Sequence, residues 1–505
     1  MRKLYTPNVP PSPSTILDSG ALILYFPSPN SVTGEDVLEL HVHGGPAIVR
    51  AVLSAIPQCN NSPHSSVVGG QPDTTTATLS RHSILYAEPG EFTRRAFINN
   101  RMSLPQIESL GETLSASTEQ QRKLSVRGTT SSLAARYEEW RNLLLQARGE
   151  LEALIDFSED QHFDESPAEL CASVALQVRK LRTLMEAHVM NAVRGKLLRN
   201  GISVALLGAP NAGKSSLLNQ IVGREAAIVS HEAGTTRDVV EVGVDLSGWL
   251  VKLGDMAGLR RAGVVGPDVV GAVEQEGIKR AKERALQSDV LIVVQDAVAE
   301  LDPEVTETAQ QCIDQGINVV FAINKIDQVQ DTEQSVSRWK EKVQSVLDIP
   351  ADRIHFISCK EATTASSAHD NQKDPGNIQE FLRGLVQTFQ TMTTALIPDF
   401  DIGDTPPDPS IWQESLGATE RQRALLSECL SHLEAFLVAV KSDSMNSHIT
   451  DSVSRDASDE MGDDEEVDIV IAAESLRLAA DTLARITGRG ESGDVEEVLG
   501  VVFEK

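Results

Sequence analysis

The chain has 505 residues, with 45 Lys and Arg against 73 Asp and Glu and a formal net charge of −28. No apolar run reaches the roughly 18 residues that a membrane-spanning helix needs, and 41% hydrophobic content is that of ordinary soluble domains. No broad basic stripe is present to neutralise phosphates, which argues against unassisted, nonspecific nucleic-acid binding. Much of the acid sits in runs such as Asp459 to Asp468, so RNA is not excluded as a substrate. At this length the chain holds more than one domain. The cysteines at 59, 171, 312, 359 and 429 are scattered without any C-x-x-C pair, which argues against a disulfide framework or a zinc site.

In chain order, Ala21 to Phe26 reads as a strand, and Val37, Leu38, Leu40 and Val42 suggest a second before the Gly44–Gly45 turn. His41 and His43 lie at alternate positions of that strand. They could ligate a metal, but no further His or Cys cluster is near, and strand-end histidines are ordinarily satisfied by hydrogen bonds. Residues 59–82 are rich in Ser, Thr, Gly and Pro and read as a loop insertion. Helical spacing covers Leu104 to Leu154, with Leu133, Tyr137, Trp140, Leu144, Ala147, Leu151 and Leu154 on one face, and returns from Leu170 to Leu198.

The apolar run Ile202–Leu207 then leads into Gly208-Ala-Pro-Asn-Ala-Gly-Lys-Ser215, a phosphate-cradling loop of the G-x-x-x-x-G-K-[ST] type, and a helical pattern follows from Ser216. Its glycines let backbone N–H groups converge on phosphate oxygens. Asn211, Ala212, Gly213 and Ser216 line the loop, Lys214 brings a positive charge to the outer phosphates, and Ser215 offers a hydroxyl to magnesium. The base is named by Asn324-Lys325-Ile-Asp327, placed after the strand-like Val319–Ile323. An aspartate accepts both the ring N–H and the exocyclic amine of guanine, whereas adenine offers neither donor there. Ser358-Cys359-Lys360 closes the base side. Between these motifs, Gly234-Thr235-Thr236-Arg-Asp238 supplies a threonine, Thr236 foremost, for magnesium and the terminal phosphate. Asp255-Met-Ala-Gly258 supplies a magnesium-holding carboxylate and a phosphate-sensing N–H. Leu259 stands where many small GTPases carry the glutamine that orients water, so another polar group is needed; Asp268, Glu274 and Glu276 are available on residue type.

Helical spacing resumes at Leu425, Leu430, Leu433, Phe436 and Val440, and again from Ala473 to Ile486 with Gly488 as its stop. The expected architecture is therefore multidomain, α/β plus all-α. Residues 1–104 form an α+β domain, 105–199 a first helical part, 200–390 a P-loop GTPase domain, and 391–505 a second helical part with an acidic insertion at 443–467. Helices on both sides of an inserted α/β domain pack most simply as one bundle.

The constellation resembles the MnmE/TrmE tRNA modification GTPases, including their mitochondrial members, over nearly the whole chain. Its marks are NSVTGEDVLELHVHGG (Asn30 to Gly45), PGEFTRRAFIN (Pro89 to Asn99), IDF (Ile155 to Phe157), GAPNAGKSSLLN, AAIVSHEAGTTRD, DMAGLR, VEQEGIKRA and ESLRLAADTLARITG (Glu474 to Gly488). The resemblance implies an N-terminal folate-binding domain that also dimerises, a discontinuous helical domain, and a GTPase domain whose potassium-dependent dimerisation drives hydrolysis. Asn211 matches the family's potassium-ligating asparagine, and Glu274 its water-orienting glutamate, with Lys214 and Gly258 beside it in catalysis.

It further implies GTP, Mg2+ and K+ as ligands and a tetrahydrofolate derivative as one-carbon source. An FAD-dependent partner of the MnmG type would act with it on the wobble uridine of tRNA, in the mitochondrial matrix. The family's N-terminal G-x-x-A-x-x-R-x-S-G segment and its F-C-I-G-K tail are not found, so part of the folate pocket and the tail cysteine are expected to be missing, as in an N- and C-terminally truncated member. Arg2, Lys3 and the Ser/Thr/Pro run to Thr15 form no clear targeting peptide. Two other readings are a truncated, non-catalytic GTP-binding scaffold and an Era/Der-type ribosome-assembly GTPase. The latter calls for a KH-like domain with a basic GxxG loop, which does not occur after Lys360.

Overall fold

The computed structural model describes residues 1–61, 84–128, 132–156, 167–222, 226–231, 242–253, 281–368, 374–401, 405–441 and 469–488. Contacts divide the chain into two units, 1–107 with 491–505, and 108–490.

The first unit holds a three-stranded antiparallel sheet of β1 (Arg2–Tyr5), β2 (Ile16–Phe26) and β3 (Val37–His41), in that order. Helices α1 (Pro46–Ala55) and α2 (Glu91–Ile98) accompany it. Two segments that stand far apart in sequence meet here. The loop after β2 is held by Asn99 Nδ2 on the Thr33 carbonyl at 2.8 Å, by Arg101 Nε on the Ser31 carbonyl at 3.1 Å, and by Arg95 on Glu35 at 2.9 Å. The histidines are paired with carboxylates: His41 with Glu39 at 3.1 Å, and His43 Nδ1 with the buried Asp18 at 2.9 Å. Hydrogen bonds from the Gly20 and His43 N–H groups hold the Asp18 carboxyl below its usual range.

Residues read as one helical stretch from 104 to 154 form three helices, α3 (Leu104–Ser115), α4 (Glu119–Gly128) and α5 (Ser132–Asp156). The break before α4 has a local cause. Thr118 and Gln121 cap each other, Thr118 N–H donating to Oε1 of Gln121 at 3.1 Å and Gln121 N–H to the Thr118 hydroxyl at 3.5 Å. Next comes α6 (Pro167–Asn200), whose 34 residues span about 51 Å and run straight into the α/β region.

That region is a seven-stranded sheet of β4 (Ile202–Leu207), β5 (Ala226–His231), β6 (Val242–Leu246), β7 (Trp249–Leu253), β8 (Val290–Asp296), β9 (Asn318–Asn324) and β10 (Ile354–Phe356). Their order across the sheet is β10-β9-β8-β4-β7-β6-β5. The first five are mutually parallel, and β6 and β5 complete the edge antiparallel. Strands such as β8 and β9 are buried on both faces, which is why they read as continuous apolar runs. Helices α7 (Lys214–Gln220), α8 (Pro303–Asp314), α9 (Thr332–Leu347), α10 (Cys359–Ala368) and α11 (Ile378–Met392) accompany the sheet. The chain then returns to helices α12 (Pro409–Glu414), α13 (Glu420–Lys441) and α14 (Ile469–Thr487).

The helices on either side of the sheet share one core. Tyr137, Trp140, Leu144 and Leu151 of α5 pack with Val178 and Met185 of α6, Leu433 and Phe436 of α13, and Leu476 and Leu483 of α14. Each such side chain removed from water contributes about 1.5–3 kcal/mol, so the returning helices are bound firmly to the departing ones. Asn191 of α6, fully buried, fixes the return. Its amide accepts from Leu396 N–H at 2.6 Å and donates to the Leu396 carbonyl at 2.9 Å and to Ser415 Oγ at 2.8 Å.

Candidate nucleotide site

The parallel strands β4, β8 and β9 end on one side of the sheet, and the predicted motifs follow those ends. This is where an open α/β sheet places its ligands. Gly208, directly after β4, lies so close to the Val294 carbonyl of β8 that a Cβ would collide with it. Asn211 takes a left-handed φ of +61°, and Gly213, at +107°, leaves no space for a side chain beside the Asn324 amide. The result is a tight backbone loop opening into α7, with Leu217 and Leu218 buried to hold the helix. Lys214 Nζ donates to the carbonyls of Gly208 and Ala209 at 2.6 and 2.8 Å, and burial lowers its pKa. Ser215 and Ser216 are exposed at the mouth of the loop.

Asn324 binds the site together. Only 3% exposed, it donates from Nδ2 to the Ala212 carbonyl at 2.9 Å and accepts at Oδ1 from the Cys359 N–H at 3.2 Å. One amide thus joins the phosphate loop to the base-side segment. Lys325, at φ +66°, pairs with Asp296 at 2.6 Å. Asp327 accepts from the buried Ser358 hydroxyl at 2.8 Å, with the Lys360 ammonium 3.9 Å away. Ser358 in turn caps α10, accepting from the Glu361 N–H at 3.2 Å. Burial, then the Asp327 charge, pushes the Cys359 thiol up to about 11, so it is inert at neutral pH.

The structure therefore brings Asn211, Ala212, Gly213, Lys214, Ser215, Ser216, Asn324, Lys325, Asp327, Ser358, Cys359 and Lys360 around one end of the sheet. Thr235, Thr236, Asp255, Gly258 and Glu274 lie outside the described residues, as do Leu259, Asp268 and Glu276. Two contributors escaped the reading of the sequence. Asp296 ends the apolar run of β8 and stands in register with Asn324, a position visible as an acid closing a buried strand. Gly376, at φ +74°, takes the Ser358 N–H on its carbonyl at 2.9 Å; no local pattern marks it. No cluster of three or more His, Cys, Asp or Glu capable of holding a metal occurs among the described residues, and none of their helices is long and apolar enough to cross a membrane.

A phosphate-cradling loop after β4, at the end of a mainly parallel sheet set between the two parts of a helical body, defines a P-loop α/β protein of the GTPase class. Residues 1–101 match the model for the GTP-binding protein TrmE N-terminus, and residues 104–505 the model for the MnmE helical domain. The chain belongs to the MnmE/TrmE family of tRNA modification GTPases. It is 34% identical over 501 residues to the mitochondrial tRNA modification GTPase mss1 of Schizosaccharomyces pombe, covering 98% of this chain and 84% of that one. With the tRNA modification GTPase MnmE of Paramagnetospirillum magneticum it shares 35% over 490 residues, covering 97% and 86%. With the mitochondrial 5-taurinomethyluridine-[tRNA] synthase subunit GTPB3 of Homo sapiens it shares 33% over 493 residues, covering 96% and 80%.

Proposed function

We propose that this chain binds and hydrolyses GTP with magnesium and potassium, and that the hydrolytic cycle serves modification of the wobble uridine of mitochondrial tRNA. The observation that carries the nucleotide reading is the Asn324 amide, which holds the phosphate loop and the Ser358–Lys360 segment at a fixed separation. A base and its phosphates are one rigidly linked ligand, and a site for them needs that separation set in advance.

In this reading the loop N–H groups and Lys214 hold the phosphates. The Cβ positions of Gly208 and Gly213 are taken by the Val294 carbonyl and the Asn324 amide, so glycine is needed at both for the tight path that would bring the loop N–H groups together on the phosphates. Asp327, already oriented by the Ser358 hydroxyl, accepts two hydrogen bonds from the guanine edge. Ser215, with Thr236 and Asp255, would hold magnesium, which supplies charge neutralisation at the outer phosphates. Asn211 would hold potassium. Thr235 and Gly258 would contact the terminal phosphate, and Glu274 would orient the attacking water in place of Leu259.

In the same reading the chain acts with an FAD-dependent MnmG-type protein on tRNA, using a tetrahydrofolate-derived carbon unit; the relatives named as a tRNA modification GTPase and as a subunit of a tRNA uridine synthase support action on tRNA within an assembly. Dimer formation through the first unit is supported by its exposed apolar hairpin, where the cross-strand pair Tyr25 and Leu38 is 59% exposed on each side. The test is GTP turnover by the purified chain in KCl against NaCl, beside Glu274→Ala. Turnover stimulated by potassium and lost in Glu274→Ala supports the reading. Equal turnover in both salts removes potassium from it, and unmodified wobble uridine in cells that carry only this chain would leave a GTP-binding scaffold.

A further inference from the structure

Strands β6 and β7 form a hairpin with unusual attachments at its two ends. Val242 and Leu253 pair at one end, on the side where β4 passes into the phosphate loop, and they adjoin in sequence the stretches that carry Thr236 and Asp255, read above as magnesium and terminal-phosphate contacts. At the other end, about 17 Å away at roughly 3.4 Å per residue, lies the turn Ser247–Gly248. The turn is held by the helical body: the Gly248 carbonyl accepts the Gln120 N–H from the first turn of α4 at 3.0 Å, and a Cβ on Gly248 would rest 3.4 Å from that of Glu119.

The same corner is sealed by apolar packing. Leu124 of α4, Leu198 of α6 and Leu416 belong to one core cluster with Leu246, Trp249 and Phe389 of the α/β region. Gln121 of α4 ties its own cap to the last turn of α6, donating to the Arg199 carbonyl at 2.8 Å. On its other side an open cleft of about 380 Å³ lies between Ser247 and Arg383 and Gln390 of α11.

The far end of α4 continues the path. Gly128 lies against Ser109 of α3 so closely that a Cβ would strike the Ser109 hydroxyl. The neighbouring Glu108 accepts from Arg421 Nε at 2.6 Å and from the Thr419 hydroxyl at 3.1 Å. Arg421 then closes the C-terminal end of α14 through the carbonyls of Arg485 and Ile486 at 3.1 and 3.0 Å.

We propose that α4 couples the nucleotide site to the helical body: the β6–β7 hairpin is the lever, the Gly248–Gln120 contact its bearing, and the Gly128–Ser109 contact the output toward the end of α14. The proposal rests on the GTP-dependent reading above. Side chains at such contacts interlock in discrete arrangements, so a small displacement of the hairpin would be carried as a shift of a rigid helix.

Hydrogen exchange on the full chain, with GDP and with a non-hydrolysable GTP analogue, tests it. Peptides covering 118–128 and 469–487 are expected to exchange at rates differing by at least about three-fold between the two nucleotides. Gly128→Ala should keep the affinity for a fluorescent GDP analogue within about two-fold while the response at 469–487 disappears, and Ser109→Gly in the same chain should restore it. Gln120→Pro, which removes the donor in a helix turn that tolerates proline, should abolish the response in both peptides. Binding of the fluorescent analogue with identical exchange in both nucleotides overturns the coupling and leaves the GTP site standing. So does a response at 469–487 that survives both Gly128→Ala and Gln120→Pro. Failure of the wild-type chain to bind the analogue overturns the GTP reading itself.

Discussion

The corner around Asn324 and Asp327 and the polar seam inside the helical bundle are made from the same kinds of group, but they are completed differently. In the corner, backbone pins the buried amide and a carboxylate keeps acceptor capacity: Asn324 bonds Ala212 and Cys359, Ser358 caps its own helix start and donates to Asp327, and Asp327, its side chain 11% exposed, lies beside the exposed Lys360. In the bundle, buried side chains close on one another. Tyr137 OH pairs with His188 Nε2 at 2.9 Å and reaches Gln422 at 3.4 Å, Gln422 donates to Glu108, and Arg136 holds Asp401 through two bonds of 2.8 and 2.9 Å. A network that closes on itself fixes helices. One pinned by backbone and left open at an edge keeps hydrogen-bonding capacity for a ligand.

If this distinction holds, damage to the bundle should register as stability and damage to the corner as affinity. The largest effect is expected from Arg136→Met. It leaves the Asp401 carboxylate, 6% exposed, without its bidentate partner, and should cost about 3–5 kcal/mol in urea unfolding. Asp401→Leu in the same chain should return most of it, because removing both charges also removes the desolvation penalty. A single variant as stable as the wild type would show that the pair does no more than a surface bridge.

In the corner, Asp327→Asn should weaken GDP binding by about 10²-fold, near 3 kcal/mol, with little change in unfolding midpoint. The amide can donate to the extra carbonyl of xanthine where the carboxylate accepted from guanine, so xanthosine nucleotides should gain. Equal losses for both bases would mean that Asp327 supports the loop and does not read the base. Asn324→Ala sits between the two classes. It removes the bridge from Ala212 to Cys359, leaving a buried carbonyl and a buried N–H unpaired, and should cost about 1–3 kcal/mol in stability along with the affinity. Loss of affinity alone would place Asn324 wholly on the ligand side of the comparison.

The two networks also differ in how far the sequence discloses them. The corner was legible because phosphate and base chemistry demand fixed residue types at short spacings, and β4, β8 and β9 announce themselves as buried runs. The apolar face of α5, from Leu133 to Leu154, was equally plain from its helical period. What escaped were single polar residues acting across long separations: Asn191 on Leu396, Arg421 on the end of α14, Asn99 on Thr33, Asp296 on Lys325. Such contacts have no periodicity, and each looks like a surface residue until the partner is known. The start of α4 is different, since the Thr118–Gln121 cap was present as a local pattern within a stretch read as continuously helical.

The smallest predicted effect is a slope. His188 lies fully buried between Tyr137, Trp140 and Trp412, and burial, then the charge of Arg136, lowers its pKa from 6.5 to about 3. Above pH 6.5 the ring is neutral in the folded and unfolded chain alike, and it adds nothing to pH dependence. As pH falls below 6.5 the unfolded chain takes up a proton that the folded chain refuses, so stability declines on the order of 1.4 kcal/mol per pH unit until about pH 3. Burial lowers the His355 pKa as well, so the wild-type slope contains more than one histidine. His188→Gln isolates the contribution: it keeps a polar partner for Tyr137 but cannot ionise. Urea midpoints between pH 6 and 4.5, above the range where Glu119, lowered to about 2 chiefly by Arg122, responds, should fall less steeply in the variant by about one proton's worth. Parallel slopes would mean that the bundle admits the proton, and that its polar seam is as open as the corner around Asp327.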